Sequence, residues 1–223
     1  VGKIDNVPVV IISRHGEGHT INPTNVNYRA NIWSLKEQGC THILATTACG
    51  SLKEKIKPGD FVFPDQFVDR TTKRTATFYD DSTVQHVPMG TPFCARTSAV
   101  LQDQAEKLGL SFHPTGTVVT IEGPRFSSKA ESMIFRSWNC DIINMSTVPE
   151  VVLARELGIC YQNIAMSTDY DCWHESEEEV SIELVFAVMA KNAETVKKLI
   201  KNTIPALSNE DCECRSFYRS INE

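Results

Sequence analysis

Apolar and polar residues alternate along the chain with two different periods, which predict strands and helices in turn. Short apolar runs rich in β-branched residues predict strands at residues 7–12, 42–47, 61–67, 116–121, 141–143 and 160–167. Apolar residues three or four positions apart predict helices at residues 28–38, 98–108, 127–138, 149–157 and 182–200. Strands that alternate with helices predict one α/β domain over residues 1–223, with a largely parallel or mixed sheet.

The two ends of the chain give less regular patterns. Residues 1–6 predict a strand hairpin. The run at residues 7–12 predicts a buried strand that delivers Arg14 and His15 into a loop. The tail at residues 208–223 is polar with two aromatic residues and supports no assignment.

Composition narrows the class of protein. The chain has 223 residues and a net charge of −6, and it contains no basic run, which argues against a nucleic-acid groove. No apolar stretch approaches the roughly 20 residues that a membrane helix needs, and no signal-peptide pattern opens the chain. These features are those of an ordinary globular protein.

The eight cysteines do not predict a disulfide framework, because a chain of this length needs no such staples. No C-x-x-C pair is present, so a zinc site is not expected. Cys212 and Cys214 form a C-x-C pair in the polar tail that could be oxidised. The remaining cysteines stand singly, beside apolar or helical stretches: Cys40, Cys49, Cys94, Cys140, Cys160 and Cys172. We therefore expect buried free thiols and a cytoplasmic protein, with the nucleus as an additional location.

The sequence Arg14-His15-Gly16-Glu17 allows two kinds of phosphate chemistry. The loop could hold phosphate, or His15 could take a phosphoryl group as in histidine phosphatases. The second mechanism needs another histidine at a late strand end, and none of the later histidines has that setting. His15 and His19 have the spacing of helix-borne metal ligands, but the glycines between them argue against a helix.

Three further stretches place polar or small residues where predicted strands end, which is where open α/β sheets bind ligands. Residues 43–52 end in small residues that form either an anion site or a tight turn. In residues 121–132, Phe126 could stack on a planar base or lie in the core, and Ser127 or Ser128 could cap a helix. In residues 142–158, a helix start near Pro149 could bind an anion, while Thr147 is equally a good N-cap.

Asp169 and Asp171 follow the last predicted strand. Alternation along an extended chain places both carboxyl groups on one side. The two carboxyl groups could bind a metal, form hydrogen bonds with an amino-purine, or act as acid and base. The alternative is a surface turn. The apolar strand before these residues and Trp173 after them argue against that alternative.

An ordered set of motifs spans most of residues 8–205: RHG-x-x-H-T, NYRANIW-x-LK, TTACGSL, DQF-x-DRTT, IEGPRFSS, INM-x-TVPEVVLA and TDYDCW. Together they resemble the trimeric purine nucleoside phosphorylases. The resemblance implies a central twisted mixed β-sheet flanked by helices, a homotrimer, and no metal or organic cofactor. It also implies that the Arg-His-Gly loop holds phosphate, which is itself the nucleophile.

The resemblance assigns roles residue by residue. The implied phosphate-binding residues are Arg14, His15 through its backbone, Thr47, Ala48 and Ser146. The implied nucleoside-binding residues are Met145 under the ribose, Phe126, Ser127 and Ile143 around the base, Ile182, Val185 and Phe186 around the 5′ group, and His86 at a neighbouring subunit's site. Asp169 and Asp171 are the implied catalytic residues, facing N7 and the 6-amino group of the purine.

These residue types indicate a substrate. Asparagine would suit a 6-oxopurine, because its amide can donate to O6, whereas Asp169 favours a 6-aminopurine. Ile182 and Val185 favour a methylthio group over a hydroxyl by roughly 10- to 100-fold. We therefore expect phosphorolysis of 5′-methylthioadenosine, with adenosine as a secondary substrate. A purine nucleoside phosphorylase of broader specificity and a non-catalytic nucleoside-binding protein are the alternatives.

The sequence departs from the family's pattern at three places. The family begins with a strand and a Gly-rich loop that contacts phosphate, and nothing here matches them, so we expect the sequence to be incomplete at its start. Ser146 replaces the usual threonine and keeps the hydroxyl. The loop between Tyr79 and His86 is shorter than usual.

Overall fold

A mixed sheet of seven strands runs through the centre of the molecule in a computed structural model that describes residues 1–80, 84–175 and 181–222. The described strands are β1 (Gly2–Ile4), β2 (Val7–Val9), β3 (His42–Ser51), β4 (Phe61–Val62), β5 (Gln66–Arg70), β6 (Phe112–His113), β7 (Thr117–Ile121), β8 (Ile142–Asn144) and β9 (Cys160–Asp169). The central sheet has the order β5-β7-β8-β3-β9-β4-β6, and β1 pairs with β2 apart from it.

Strand β9 is the structural centre of this sheet. All ten of its residues are buried, as expected for a strand covered on both faces. It pairs in parallel with β3 from His42 opposite Cys160 to Cys49 opposite Ser167. The register then shifts by one residue and places Gly50 opposite Asp169. On its other side β9 pairs antiparallel with β4.

Helices cover both faces of the sheet. The described α-helices are α1 (Tyr28–Glu37), α2 (Ala95–Lys107), α3 (Lys129–Ser137), α4 (Thr147–Glu156), α5 (Ile182–Ala206) and α6 (Ser216–Asn222). One core cluster joins α1 and α4 to Tyr161 and Ala165 of β9. A second joins α2 and α5 to Ile164 and Met166. Because alternate residues of a strand point to opposite faces, α1 and α4 lie on one face and α2 and α5 on the other.

The predicted fold class is confirmed: the chain forms an α/β domain around a mixed sheet with flanking helices. The helix at residues 127–138 begins at Lys129 because Ser128 is its N-cap, in a capping box with Glu131. The hairpin predicted at the start spans β1 and β2, with Asp5 and Asn6 at positive φ in the turn. No helix among the described residues has the length and apolar character needed to cross a membrane.

The prediction of a buried strand at residues 7–12 is wrong. Regular structure ends at Val9, and β2 pairs only with β1. The side chains of Ile11 and Ile12 are 84% and 37% exposed. Their β-branched side chains favour extended backbone, but a strand also needs a hydrogen-bonded neighbour, and no described strand pairs with this segment.

Two other boundaries differ from the predicted ones. The single strand predicted at residues 61–67 is divided into β4 and β5, because Pro64 between them lacks the N–H that a ladder requires. Helix α5 continues past Ile200 to Ala206, with Pro205 inside its last turn. The unassigned tail forms a 3₁₀ turn at Glu213–Arg215 followed by α6.

Candidate active site

A cavity of about 230 Å³ opens beside the carboxyl ends of β3, β8 and β9. Predicted site residues from all three strands and from the loops around them line it together. They are Arg14, His15, Thr47, Ala48, Phe126, Ser127, Ile143, Met145, Ser146, Asp169, Asp171, Val185 and Phe186. The structure thus gathers into one cavity thirteen side chains that are spread over most of the sequence.

One end of the cavity carries a fixed positive charge. The guanidinium of Arg14 donates from Nε to Glu150 Oε1 at 2.5 Å, from Nη2 to Glu150 Oε2 at 3.1 Å, and from Nη1 to the carbonyl of Thr46 at 3.0 Å. Glu150 also accepts a hydrogen bond of 2.8 Å from the hydroxyl of Tyr161. Burial opposes the charge on Arg14, but the adjacent Glu150 carboxylate outweighs burial and raises the pKa of Arg14. Arg14 therefore remains charged and held in one orientation.

A buried polar network positions Thr47 beside Arg14. Thr47 Oγ1 donates to Asn163 Oδ1 at 3.1 Å and accepts from Asn144 Nδ2 at 3.3 Å. Thr147 Oγ1 accepts from Asn144 Nδ2 at 2.7 Å and from Asn163 Nδ2 at 2.5 Å. This bonding joins the middle of β3 and of β9 and the last residue of β8 to the start of α4. Thr147 serves this network, and the N-cap position belongs to Ser146, which lines the cavity.

His15 is a neutral side chain in this setting. Burial is the main cause that lowers the pKa of His15. Its Nδ1 lies 2.9 Å from the carbonyl of Ile21, so Nδ1 carries the proton and Nε2 is left as an acceptor. The ring centroid of His19 lies 4.6 Å from that of His15, with the rings tilted by 30°, and 5.7 Å from that of Phe186 in an edge-to-face arrangement.

The cavity does not have the residues that a histidine phosphatase mechanism needs. Of the histidines in the described residues, only His15 and His19 line it, and both belong to the same short loop. The described residues that form this cavity also hold no group of three or more His, Cys, Asp or Glu side chains close enough to share a metal ion.

Two buried carboxyl groups lie beside Gly50, four residues further along β3 than Thr46, whose carbonyl accepts from Arg14. At about 3.3 Å per residue these two places are about 13 Å apart along the strand, so the carboxyl groups and the cation lie towards different ends of the cavity. Asp169 accepts from Thr168 Oγ1 and from the backbone N–H of Asp171, each at 2.7 Å. Both oxygens of Asp171 lie 2.8 Å from the Ser127 hydroxyl. Burial raises the pKa of Asp169 and of Asp171 above the ordinary value. Asp169 can therefore hold a proton to a higher pH than an exposed carboxyl group does.

Both aspartates reach one cavity, as predicted, but by a different geometry. Strand β9 ends at Asp169, and Asp171 lies in the following turn with a φ of 51°. Gly50 leaves room for them: a Cβ there would lie 3.0 Å from Asp169 Oδ1 and 3.2 Å from Asp171 Cβ.

Apolar side chains form the rest of the wall. Met145 Sδ lies against Gly123, where an added Cβ would approach it to 2.6 Å. Phe126 is 38% exposed, so it is a cavity wall and not a core residue. Val185 is buried and Phe186 is partly exposed, and both project into the cavity from the start of α5.

Two predicted site residues are not among these. His86 is exposed and does not line the cavity; its predicted role concerns a neighbouring subunit and stays a prediction. Ile182 begins α5, but its side chain lies outside the described residues.

Sequence analysis missed Glu150, Asn144 and Asn163, which hold the cavity's polar end in place. Glu150 lies inside a predicted helix, Asn163 lies inside a predicted strand, and Asn144 directly follows the strand predicted at residues 141–143, so none of them gives a separate signal. Arg74 was also missed. It donates at 2.7 Å to the carbonyls of Met145, Val148 and Glu122, and so fixes the backbone on both sides of the cavity.

The cavity thus combines a fixed cation, two buried carboxyl groups and apolar walls. The chain belongs to the phosphorylase superfamily, whose family model matches residues 1–205.

Closer relatives narrow this class. The chain is 57% identical over 216 residues to S-methyl-5′-thioadenosine phosphorylase of Danio rerio. The matched region covers 95% of this chain and 77% of the relative. It is 58% identical over 217 residues to the enzyme of the same name from Xenopus tropicalis, again covering 95% and 77%. A solved structure of methylthioadenosine phosphorylase from Schistosoma mansoni in complex with adenine has 43% identity and a TM-score of 0.91, covering 94% of this chain and 80% of that one.

Proposed function

We propose that this chain catalyses the phosphorolysis of 5′-methylthioadenosine to adenine and 5-methylthioribose 1-phosphate. The observation that carries the proposal is the buried Asp169, whose pKa burial raises, in a cavity whose far end holds the fixed charge of Arg14. The S-methyl-5′-thioadenosine phosphorylases at 57–58% identity support the same reaction. The products belong to the salvage of purines and of methionine.

In this proposal inorganic phosphate binds at the polar end. Arg14 supplies charge and N–H donors, and Thr47 and Ser146 supply hydroxyls. The start of α4 adds the positive end of a helix dipole, which favours an anion. Ala48 and the backbone at His15 allow close approach without a competing side chain. A phosphate oxygen then attacks C1′ of the ribose above Met145.

The leaving base is stabilised at the other end. As the bond between C1′ and N9 breaks, electrons move into the purine, and a proton or hydrogen bond from Asp169 to N7 offsets the developing charge. Asp171 and Ser127 face the 6-amino group, and Phe126 and Ile143 flank the ring. An asparagine at position 169 would favour 6-oxopurines, so Asp169 supports the methylthioadenosine reading over a phosphorylase of broader specificity.

The start of α5 selects the 5′ substituent. Val185 and Phe186 present apolar surface to the cavity, and an unpaired hydroxyl buried there costs about 1–3 kcal/mol. This corresponds to a preference of about 10- to 100-fold for methylthio over hydroxyl, so adenosine is a weaker substrate. Ile182 is proposed to extend the same wall.

The active assembly is proposed to be a cytoplasmic homotrimer, also found in the nucleus, that needs no cofactor besides the co-substrate phosphate. Exposed apolar residues on and beside α3, namely Met133, Ile134 and Trp138, support contact with another subunit, and exposed His86 is free to reach a neighbouring cavity. Sedimentation equilibrium on the full-length protein should give three chains per particle; a monomeric active enzyme would exclude the role of His86.

The deciding experiment measures adenine release from methylthioadenosine with and without phosphate, using full-length protein. We expect release only with phosphate, formation of 5-methylthioribose 1-phosphate, and no reaction with inosine. Asp169→Asn should depress turnover of methylthioadenosine at least about 100-fold, within the range of a general acid. Asp103→Asn, at an exposed position on α2, is the matched control and should leave the rate unchanged. Release without phosphate would indicate a hydrolase, and no release would favour a nucleoside-binding protein.

A further inference from the structure

Four cysteines converge at a place remote from the cavity. The Sγ atoms of Cys94, Cys160, Cys212 and Cys214 all lie within 4.8 Å of one another. The separation between Cys94 Sγ and Cys212 Sγ is 3.8 Å. A tetrahedral zinc ion with Zn–S bonds of about 2.3 Å places its sulfur atoms about 3.8 Å apart. Cys94 and Cys212 already stand at that separation, and the other pairs, at no more than 4.8 Å, need to close by at most about 1 Å to match a four-thiolate zinc site.

Separate elements hold these cysteines together. Cys94 is the N-cap of α2, and its N–H donates to the carbonyl of Tyr161 at 3.0 Å. Cys160 begins β9, and its N–H donates to the carbonyl of Thr41 at 3.0 Å. Main-chain hydrogen bonds thus fix two of the four ligand positions on the body of the protein.

The tail that carries the other two cysteines is also anchored. Arg219 pairs with both oxygens of Asp211 at 2.7 Å, and Arg96 donates to the carbonyls of Glu210 and Asp211. Thr41 Oγ1 donates to Asn209 Oδ1 at 3.1 Å. The C-x-C pair therefore meets Cys94 and Cys160 without requiring the metal to fold a loose segment.

Charge and burial fit a metal–thiolate group. Four thiolates with one Zn²⁺ carry a net charge of −2, and Arg96 and Arg215 lie next to the cluster to offset it. The Nη2 atom of Arg215 is buried and has no hydrogen-bond partner among the described residues. Three of the cysteines are buried, while Cys212 is partly exposed and gives an entry path for the ion.

We propose that Cys94, Cys160, Cys212 and Cys214 bind one Zn²⁺ ion in a closed, structural site. Binding displaces up to four thiol protons to solvent and changes no oxidation state. Cys160 and Asp169 are nine residues apart at opposite ends of β9, a distance of about 30 Å at 3.3 Å per residue. The zinc ion therefore ties the tail to α2 and β9 and takes no part in phosphorolysis, so this proposal stands or falls independently of the proposed function.

A disulfide is the competing fate of the same thiols. It would require loss of two electrons to an oxidant and an S–S distance near 2.05 Å. Oxidation would leave at most two thiolates and would remove zinc binding. The test must therefore follow both the metal and the oxidation state of the cysteines.

The test uses full-length protein, prepared without oxygen in a phosphine reductant and titrated with Zn²⁺ against a coloured chelator. We expect one tightly bound zinc per chain, confirmed by elemental analysis. Co²⁺ in its place should give the sulfur-to-cobalt charge-transfer absorption and the strong d–d bands of a tetrahedral thiolate site.

Loss of a residue that only supports a metal ligand costs about 10- to 100-fold in metal affinity. Cys214→Ser removes a ligand itself, so it should weaken zinc binding by more than about 100-fold. Cys40→Ser, a partly exposed cysteine outside the cluster, is the matched control.

A readout on the unaltered chain keeps the test decisive if Cys214→Ser does not fold. Zinc should slow alkylation of Cys212 without slowing alkylation of Cys40 or Cys172, which are also partly exposed. Three results would overturn the proposal: absence of a stoichiometric thiolate–cobalt spectrum, equal zinc binding by Cys214→Ser and Cys40→Ser, or a disulfide among these four cysteines in protein alkylated directly on release from cells.

Discussion

Gly50 offers a sharp test of how closely the cavity is fitted around Asp169. Its φ is not in the left-handed region, so alanine can adopt the backbone, but the new Cβ would lie 3.0 Å from Asp169 Oδ1 and 3.1 Å from Ile143 Cγ2. Asp169 must then withdraw by a few tenths of an ångström. Since a displacement of 1 Å can cost 10²-fold in rate, we expect Gly50→Ala to lower kcat for methylthioadenosine by roughly 3- to 10-fold.

The same substitution should have a defined effect on stability. Overpacking of the folded protein destabilises it by about 1–3 kcal/mol. Alanine also makes the unfolded chain less flexible than glycine does, which stabilises the folded state by about 0.4–1 kcal/mol. We expect a net loss of about 1–2 kcal/mol in urea unfolding. The KM for phosphate should change less than about twofold because Arg14 contacts β3 at Thr46, four residues away from Gly50. Gly90→Ala, with no atom within 4 Å of the new Cβ, is the control. Wild-type turnover in Gly50→Ala, or an equal loss of phosphate and nucleoside affinity, would refute this placement of Asp169.

Three further changes test other parts of the site. Arg14→Lys cannot keep the two-pronged contact with Glu150, so KM for phosphate should rise by about 10- to 100-fold in steady-state assays, while Arg29→Lys in an exposed pair should leave it unchanged. Burial raises the pKa of Asp169 in the folded protein above its value of 3.8 in the unfolded chain. As pH rises from about 3.8 towards the folded pKa, the unfolded chain releases the Asp169 proton while the folded chain keeps it, so the free energy of unfolding falls. Asp169→Asn should therefore be more stable than the wild type at pH 7 and lose that advantage below about pH 4 in urea unfolding; an advantage independent of pH would contradict this cause. Gly123→Ala combines a φ of 66° with a Cβ 2.6 Å from Met145 Sδ, and it should destabilise the protein by about 1–3 kcal/mol more than Gly109→Ala, which has a φ of 64° and open space.

The sequence predicts well those strands that can be recognised without knowing which strands pair with them. Every residue of β9 and every second residue of β3 is buried, so their apolar residues identify both strands directly. Residues 7–12 have the same composition, yet whether they form a strand depends on a partner, which composition cannot reveal. Pro64 is a local signal for the break between β4 and β5 that the prediction did not use.

The limits of prediction at the candidate site have the same origin. Motifs in or beside predicted strands identified most of the side chains that line the cavity, and Val185 and Phe186 came from the start of the last predicted helix. The contacts that orient them join residues far apart in sequence: Glu150 meets Arg14 across 136 positions, and Asn163 meets Thr47 across 116. The sequence did not predict the cysteine cluster for the same reason. The C-x-x-C rule applies to ligands from a single loop, whereas only Cys212 and Cys214 are close in sequence here.

The register shift at the end of β3 and β9 links the fold to the chemistry. Successive side chains of a regular strand point to opposite faces, so Thr168 and Asp169 could not both reach one cavity. The shift between Cys49 and Gly50 gives β9 one extra residue, and a bulge of this kind re-aims side chains beside it. Both residues then line the cavity, and the Thr168 hydroxyl donates to Asp169 at 2.7 Å. Gly50, opposite Asp169, leaves the carboxyl group the space it needs. Backbone register therefore places Asp169, the acid proposed to select the purine, and a substitution that restored regular pairing there should abolish that selection even with Asp169 still present.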